Sequence, residues 1–290
     1  MTLRPLTYAL HPLTLFLLLA ALLLPVQAMA SESRQELLDR QCLQLWQRIN
    51  EARHNPQAAL QRLGIPFETA VTALGADAWI LQGLPPLAWD AQLQTAASAH
   101  GGDMLARLYY SSITPEGVGP LERIAATGYQ ASFEDEALTA VAFTAPVAIE
   151  EAVDFMFDRQ LYDELTAAPG VRRVFMSDDA TEIGMAAFAE SLALLAGQPN
   201  LYLLVADVAA PLVPRPFVVG VAAADSLVVA RRYPGDALEL LPTIAGGLFQ
   251  AEFPRSGAEY SAYTAEGGML RRVPVYNLAA GANRYVDLRR

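Results

Sequence analysis

Between Ser31 and Arg53, leucines and Trp46 recur three and four residues apart with charges between them, the period of a helix that buries one face. Asn55-Pro56 stops that pattern and can open a second short helix, with Asn55 as its cap and Pro56 in the first turn. Asp90 caps the next, in which Leu93, Ala96, Ala97, His100, Met104 and Leu105 form a stripe reaching about Leu108. Pro120 to Thr127 reads as a short helix closed by Gly128. A longer one starts near Pro146, its apolar side made by Ile149, Val153, Met156, Phe157, Leu161 and Leu165. Beyond it the period changes. Val174 to Met176, Ile183 to Phe188 and Leu201 to Val208 are short β-type runs, the last so continuously apolar that a central strand is expected.

Pro211, Pro214 and Pro216 then interrupt regular structure, as a linker would. Short strands are expected at Phe217–Ala222, Ser226–Ala230, Leu248–Phe253, Tyr260–Thr264, Leu270–Val275 and Tyr285–Leu288, at the spacing of a small β-sandwich. Helices first and strands later, without regular alternation, give an α+β chain with an antiparallel sheet covered by helices. The expected division is a layered α+β domain over 31–210, a linker over 211–216 and an all-β sandwich over 217–290.

The N-terminus adds a destination. Arg4, an apolar run from Leu13 to Leu24, Pro25 and Ala28-Met29-Ala30 make residues 1–30 a secretory signal peptide, too short to span a bilayer comfortably. No cysteine follows it for lipidation. The mature chain is therefore expected to be secreted or periplasmic, with no stable transmembrane span after cleavage. It carries 19 arginines, no lysine and 31 acidic residues. Such a surface repels phosphate backbones and excludes nucleic acid as a partner. Cys42 is the single cysteine, so no intramolecular disulfide forms, and its helical neighbours Leu38, Leu45, Trp46 and Ile49 mark it as a buried small hydrophobe.

The stretch from Pro86 to Tyr129 contains PLAWD, AHGGDM, Tyr109-Tyr110-Ser111-Ser112 and an arginine followed after four residues by Gly128-Tyr129. In this word order it resembles the CAP superfamily of cysteine-rich secretory, antigen 5 and pathogenesis-related proteins, in particular bacterial SCP-like extracellular members. That resemblance, from about Leu37 to Ala209, implies an α-β-α sandwich with a central cleft. In several members two histidines and two acidic residues converge there on a divalent metal. Carried over by motif, the histidine of YFSH becomes Ser112, and that of GHR becomes Val171 in Gly170-Val171-Arg172. The glutamate of GEN is kept as Glu136, and the acidic position on the long helix falls nearest Asp158. The β-rich tail resembles Ig-like or transthyretin-like modules appended to some bacterial members. Its loop from Ala222 to Ala237 offers only Asp225 and Asp236 as carboxylates, too few for a calcium cage.

Serine and valine supply neither a nitrogen ligand nor a group titrating near neutral pH, so no metal and no cofactor are expected in this cleft. Tyr110, Ser112, Glu136, Asp158 and Val171 are its candidate ligand-binding residues. Glu136 reads equally as part of a solvated acidic loop, Glu134-Asp135-Glu136, and Tyr109, Tyr110 and Tyr129 as groove or core. His100 and Asp103, three apart on one helix, are secondary candidates, with local structural pairing as the plainer reading. No G-x-S-x-G elbow or phosphate-cradling motif occurs, and only His54 and His100 remain as bases in the mature chain. No catalytic residue is assigned. The expectation is a non-catalytic binding protein for an apolar small molecule, lipid or cell-envelope partner. The alternatives are a hydrolase using Glu136 with Asp158, and a structural or adhesive envelope protein.

Overall fold

Helix α1 (Arg34–His54) buries Leu38, Cys42, Leu45, Trp46 and Ile49, the face its periodicity marks. The computed structural model describes residues 33–192, 197, 199–223, 228–244, 247–252, 257–263, 269–275 and 283–289; the signal peptide expected at 1–30 and Asp225 lie outside them. The side chain of Asn55 accepts the amide of Ala58 and opens α2 (Pro56–Arg62). Helix α3 (Phe67–Leu74) runs into a 3-10 helix, Gly75–Gln82, neither of them foreseen. Asp90 caps α4 (Ala91–Arg107) by accepting the amides of Gln92 and Leu93. Helices α5 (Pro120–Ala126) and α6 (Ile149–Thr166) follow as expected.

A four-stranded sheet in the order β1-β3-β4-β2 lies between these helices: β1 (Ala88–Trp89), β2 (Ala131–Phe143), β3 (Glu182–Ser191) and β4 (Asn200–Pro211). Strand β4 is central, pairing antiparallel with both β2 and β3. Its side chains alternate between layers. Tyr202, Leu204, Ala206 and Val208 join Ile183, Met185 and Ala137 in the large core under α1, α3 and α6. Leu203 and Val205 instead meet Ala97 and Met104 of α4 on the other face. This is the α-β-α sandwich that the motifs imply. Gly184 permits the close seating of α4, because a Cβ there would lie 2.0 Å from the Gln94 amide nitrogen.

Two expectations need correction. Residues 174–176 form no strand, because their three backbone amides turn toward the buried Glu164 carboxylate on α6. The segment 131–143, read only for its GEN-like motif, is the longest strand of the sheet; the alternation along it is weak because most of its side chains are half-buried.

The tail forms two further sheets. One is β11-β5-β8, with β5 (Phe217–Ala222), β8 (Leu248–Glu252) and β11 (Arg284–Leu288). The other is β10-β9-β6-β7, with β6 (Val228–Arg232), β7 (Glu239–Leu241), β9 (Ala258–Tyr263) and β10 (Met269–Val275). Val218, Phe249, Tyr260, Ala262 and Val286 pack between them as the core of a β-sandwich. On the opposite face of β5, Val219 and Val221 join the main core of the layered part. The middle sheet is therefore buried on both sides.

Candidate functional site

Asp207 is the one charged side chain in the apolar run of β4, and it is fully buried. Its odd position sets it on the α4 face. The register pairs it with Glu136 of β2 on one side and Gly184 of β3 on the other. Glu136 is likewise buried, on a strand and not in a solvated loop. The two acids are therefore cross-strand neighbours on one face of the sheet. Arg123 of α5 covers them, its Nη2 donating to Glu136 Oε2 at 2.6 Å and its Nη1 to the carbonyls of Ser112 at 2.8 Å and Val118 at 3.1 Å. The Ser112 side chain lies on the Glu136 side of this segment and favours its ionised form. His100 of α4 places Nε2 3.7 Å from Glu136 Oε1 and 3.1 Å from the Ser111 carbonyl oxygen.

The electrostatics follow from burial. Desolvation raises both carboxyls, Asp207 by far the more, because the Glu136 charge adds to its burial while Arg123 and Ser112 support ionised Glu136. Burial first, and then the Arg123 charge, pushes His100 down to about 4, so its ring is neutral near pH 7. Arg123 balances one carboxylate and no second cation is present in the cluster.

A groove opens beside this cluster. Met104, Leu105 and Leu108 of α4 and its C-terminus, with Tyr109 and Tyr110, form one wall, and Ala140, Leu201 and Leu203 of the sheet form the floor. It holds about 240 Å³. The Tyr110 hydroxyl donates to the Leu138 carbonyl at 2.8 Å, which fixes the ring between groove and cluster.

The sequence-level candidates thus separate. Ser112, Glu136 and Tyr110 come together, and His100, read as a locally satisfied residue, joins them. Asp103 lies outside, held by Arg107 and by the Tyr109 hydroxyl at 2.6 Å. Asp158 is not near Glu136: it sits on α6, on the opposite side of the sheet, bonded to Arg48 and Arg62. Val171 is half exposed and lines a polar cleft of about 320 Å³ with Trp79, Arg172 and Asp135, whose side chain leaves the opposite face of β2 from that of Glu136. The Glu136 and Asp158 acid pair is therefore not assembled. Arg123 and Asp207 were missed; a lone aspartate inside the most apolar strand is the signal that marks the second.

The model of the cysteine-rich secretory protein (CAP) family matches residues 46–190, half of the chain. The chain belongs to the CAP family. An outer surface protein from Borrelia burgdorferi is similar in structure at 13% identity and a TM-score of 0.37, covering 59% of this chain and 93% of its own. An extracellular SCP-domain protein from Bacillus anthracis gives 15% identity and 0.34, over 60% of this chain and 41% of its own. No curated protein sequence matches.

The CAP cleft of some relatives holds a divalent metal, and the residues here do not fit one. The guanidinium of Arg123 is bonded to Glu136, Ser112 offers no imidazole, and Val171 belongs to a different cleft. Among the described residues, no three of His, Cys, Asp and Glu are grouped so as to hold an ion. Also among them, no helix is long and apolar enough to cross a membrane.

Proposed function

We propose that this CAP protein is exported and binds a small apolar molecule, without catalysis, in the groove between α4 and the sheet. The observation that carries this reading is the groove itself, whose walls are aliphatic and aromatic and whose polar neighbours are turned inward onto one another. A volume of about 240 Å³ lies below the few hundred Å³ of pockets for drug-sized ligands, which favours one alkyl chain or one ring system. Export rests on the signal-like residues 1–30. An apolar cargo or a cell-envelope lipid agrees with that destination.

Reaction chemistry finds less support. The acids that face each other are inaccessible, and the half-buried candidates Asp158 and Asp103 are engaged by arginines.

Ala140 is exposed on the groove floor, so Ala140→Trp fills the space without disturbing the core. Titration with the neutral dye N-phenyl-1-naphthylamine is expected to show saturable fluorescence enhancement on the natural chain and a loss of roughly tenfold or more in affinity with Ala140→Trp. Native mass spectrometry of protein purified from its own host then identifies the cargo. Equal dye binding by both proteins, together with ligand-free spectra, would instead favour the structural or adhesive reading.

A further inference from the structure

Two carboxyl groups, one guanidinium and a neutral imidazole make up the buried cluster behind the groove. Around Asp207 the titratable and charged groups are few enough to name. Strand β2 contributes Glu136 on the same face and Asp135 on the other, the latter paired with Arg172. Strand β3 contributes Gly184 directly opposite, and Glu182, which is engaged by the Tyr129 hydroxyl at 2.8 Å and by Arg215 at 2.8 Å. Helix α4 brings His100, α5 brings Arg123, and the segment after α4 brings Tyr110 and Ser112.

Both oxygens of Asp207 lack any N–H or hydroxyl donor, and Glu136 Oε1 lacks one too. Two ionised carboxylates cannot rest against each other in a medium of low dielectric with one cation between them. A single proton removes the conflict. It turns one acid into a donor, uses an orphan oxygen on each side, and leaves one negative charge for Arg123.

We propose that Asp207 holds a proton and donates it to Glu136, and that this shared proton latches the segment 108–119 that walls the groove. The latch runs through Arg123. Glu136 fixes the guanidinium, and the guanidinium in turn holds the carbonyls of Ser112 and Val118. The first residues of the same segment, Leu108 to Tyr110, form the groove's lip. Loss of the proton sets two carboxylates competing for Arg123 and frees the segment. The consequence for ligand exchange rests on the groove reading above; the shared proton does not.

The direction of the pH effect follows from the raised carboxyls. The folded state keeps a proton that the unfolded chain releases near pH 4, so the stabilisation is complete below that value and is lost as pH rises through the folded pKa. The latch therefore opens on the alkaline side.

Infrared difference spectra of ¹³C-aspartate-labelled protein are expected to show a protonated-carboxyl carbonyl band at neutral pH that disappears as pH is raised. Asp207→Asn removes the band, since its amide donates to Glu136 without titrating. Glu136→Gln serves as the second variant: its amide donates to an ionised Asp207, and the band is again lost. Hydrogen exchange without ligand is expected to show protection of amides 108–118 falling by on the order of tenfold at alkaline pH in the natural chain and staying level in Asp207→Asn. Absence of the neutral-pH band, or superimposable alkaline profiles for the natural chain and Asp207→Asn, overturns the latch. If N-phenyl-1-naphthylamine fails to bind at any pH while these signals appear, the groove reading falls and the shared proton stands.

Discussion

Leu108 is the only non-glycine residue with positive φ among the described residues, at 58° as the C-terminal cap of α4, and it is exposed. A left-handed leucine costs roughly 1–2 kcal/mol relative to ordinary backbone, and glycine adopts that conformation freely. The cap itself needs no side chain, because the Leu108 amide donates to the Met104 carbonyl whatever residue is there. What the leucine contributes is a wall of the groove. Leu108→Gly is therefore expected to raise stability by about 0.5–1 kcal/mol, after the entropy glycine adds to the unfolded chain. The same variant is expected to weaken dye binding. Urea denaturation beside the fluorescence titration separates the two effects, and a destabilised variant with unchanged binding would remove Leu108 from the site.

At the scale of elements, the position of the cluster depends on how closely α4 approaches the sheet. Gly184 sets that distance, since a methyl group there meets backbone atoms of Leu93 and Gln94 and no flexible side-chain end. Gly184→Ala is expected to lose about 3 kcal/mol by overpacking and to move His100 away from Glu136. Thermal unfolding reads the first effect, and the histidine titration by NMR, shifting toward its ordinary value, reads the second. None of this close approach is legible from periodicity. The helices α1, α2, α4, α5 and α6 and most strands are visible in the sequence because each buries one regular face or carries its own cap, such as Asp90 or Asn55. The strand β2 was not, because a half-buried strand shows no clean alternation. Nor was residues 174–176, whose apolar side chains suit a strand while Glu164 claims their amides. The candidate site was legible where motif and burial coincide, at Ser112 and Glu136. It failed at Asp158 and Val171, because sequence spacing says nothing of which face of a sheet a residue reaches. Asp207 needed the register with β2 before its meaning could be read.

For the whole molecule, the proline-rich stretch after β4 reads as a linker, and the parts on either side of it share apolar and polar contacts. Asn283 is buried where the two parts meet; its Oδ1 accepts the Phe217 amide at 2.9 Å, and its Nδ2 donates to the carbonyls of Pro86 at 2.9 Å and Thr181 at 2.6 Å. Gln250 of β8 completes the joint by pairing with the backbone of Trp89 on both sides, its Oε1 accepting the amide at 2.7 Å and its Nε2 donating to the carbonyl at 2.9 Å. That contact covers β1, an outer strand of the layered sheet whose free edge would otherwise template pairing with another chain. With Val219 and Val221 in the main core, the sandwich acts as part of the wall of the CAP layer. Two parts that share a core and are joined by two hydrogen bonds from one buried side chain should unfold together. A single calorimetric transition is expected for the natural chain. Asn283→Ala leaves the Phe217 amide and the Pro86 carbonyl without this partner, while the Thr181 carbonyl keeps the Ala88 amide, and is expected to lose about 2–4 kcal/mol. Its particular signature is the splitting of the transition, with the sandwich melting first and the layered part, including the buried carboxyl pair, retaining its own cooperative step. An equally destabilised variant that still melts in one transition would place the cohesion of the two parts in the apolar contact of β5 and not in the polar joint.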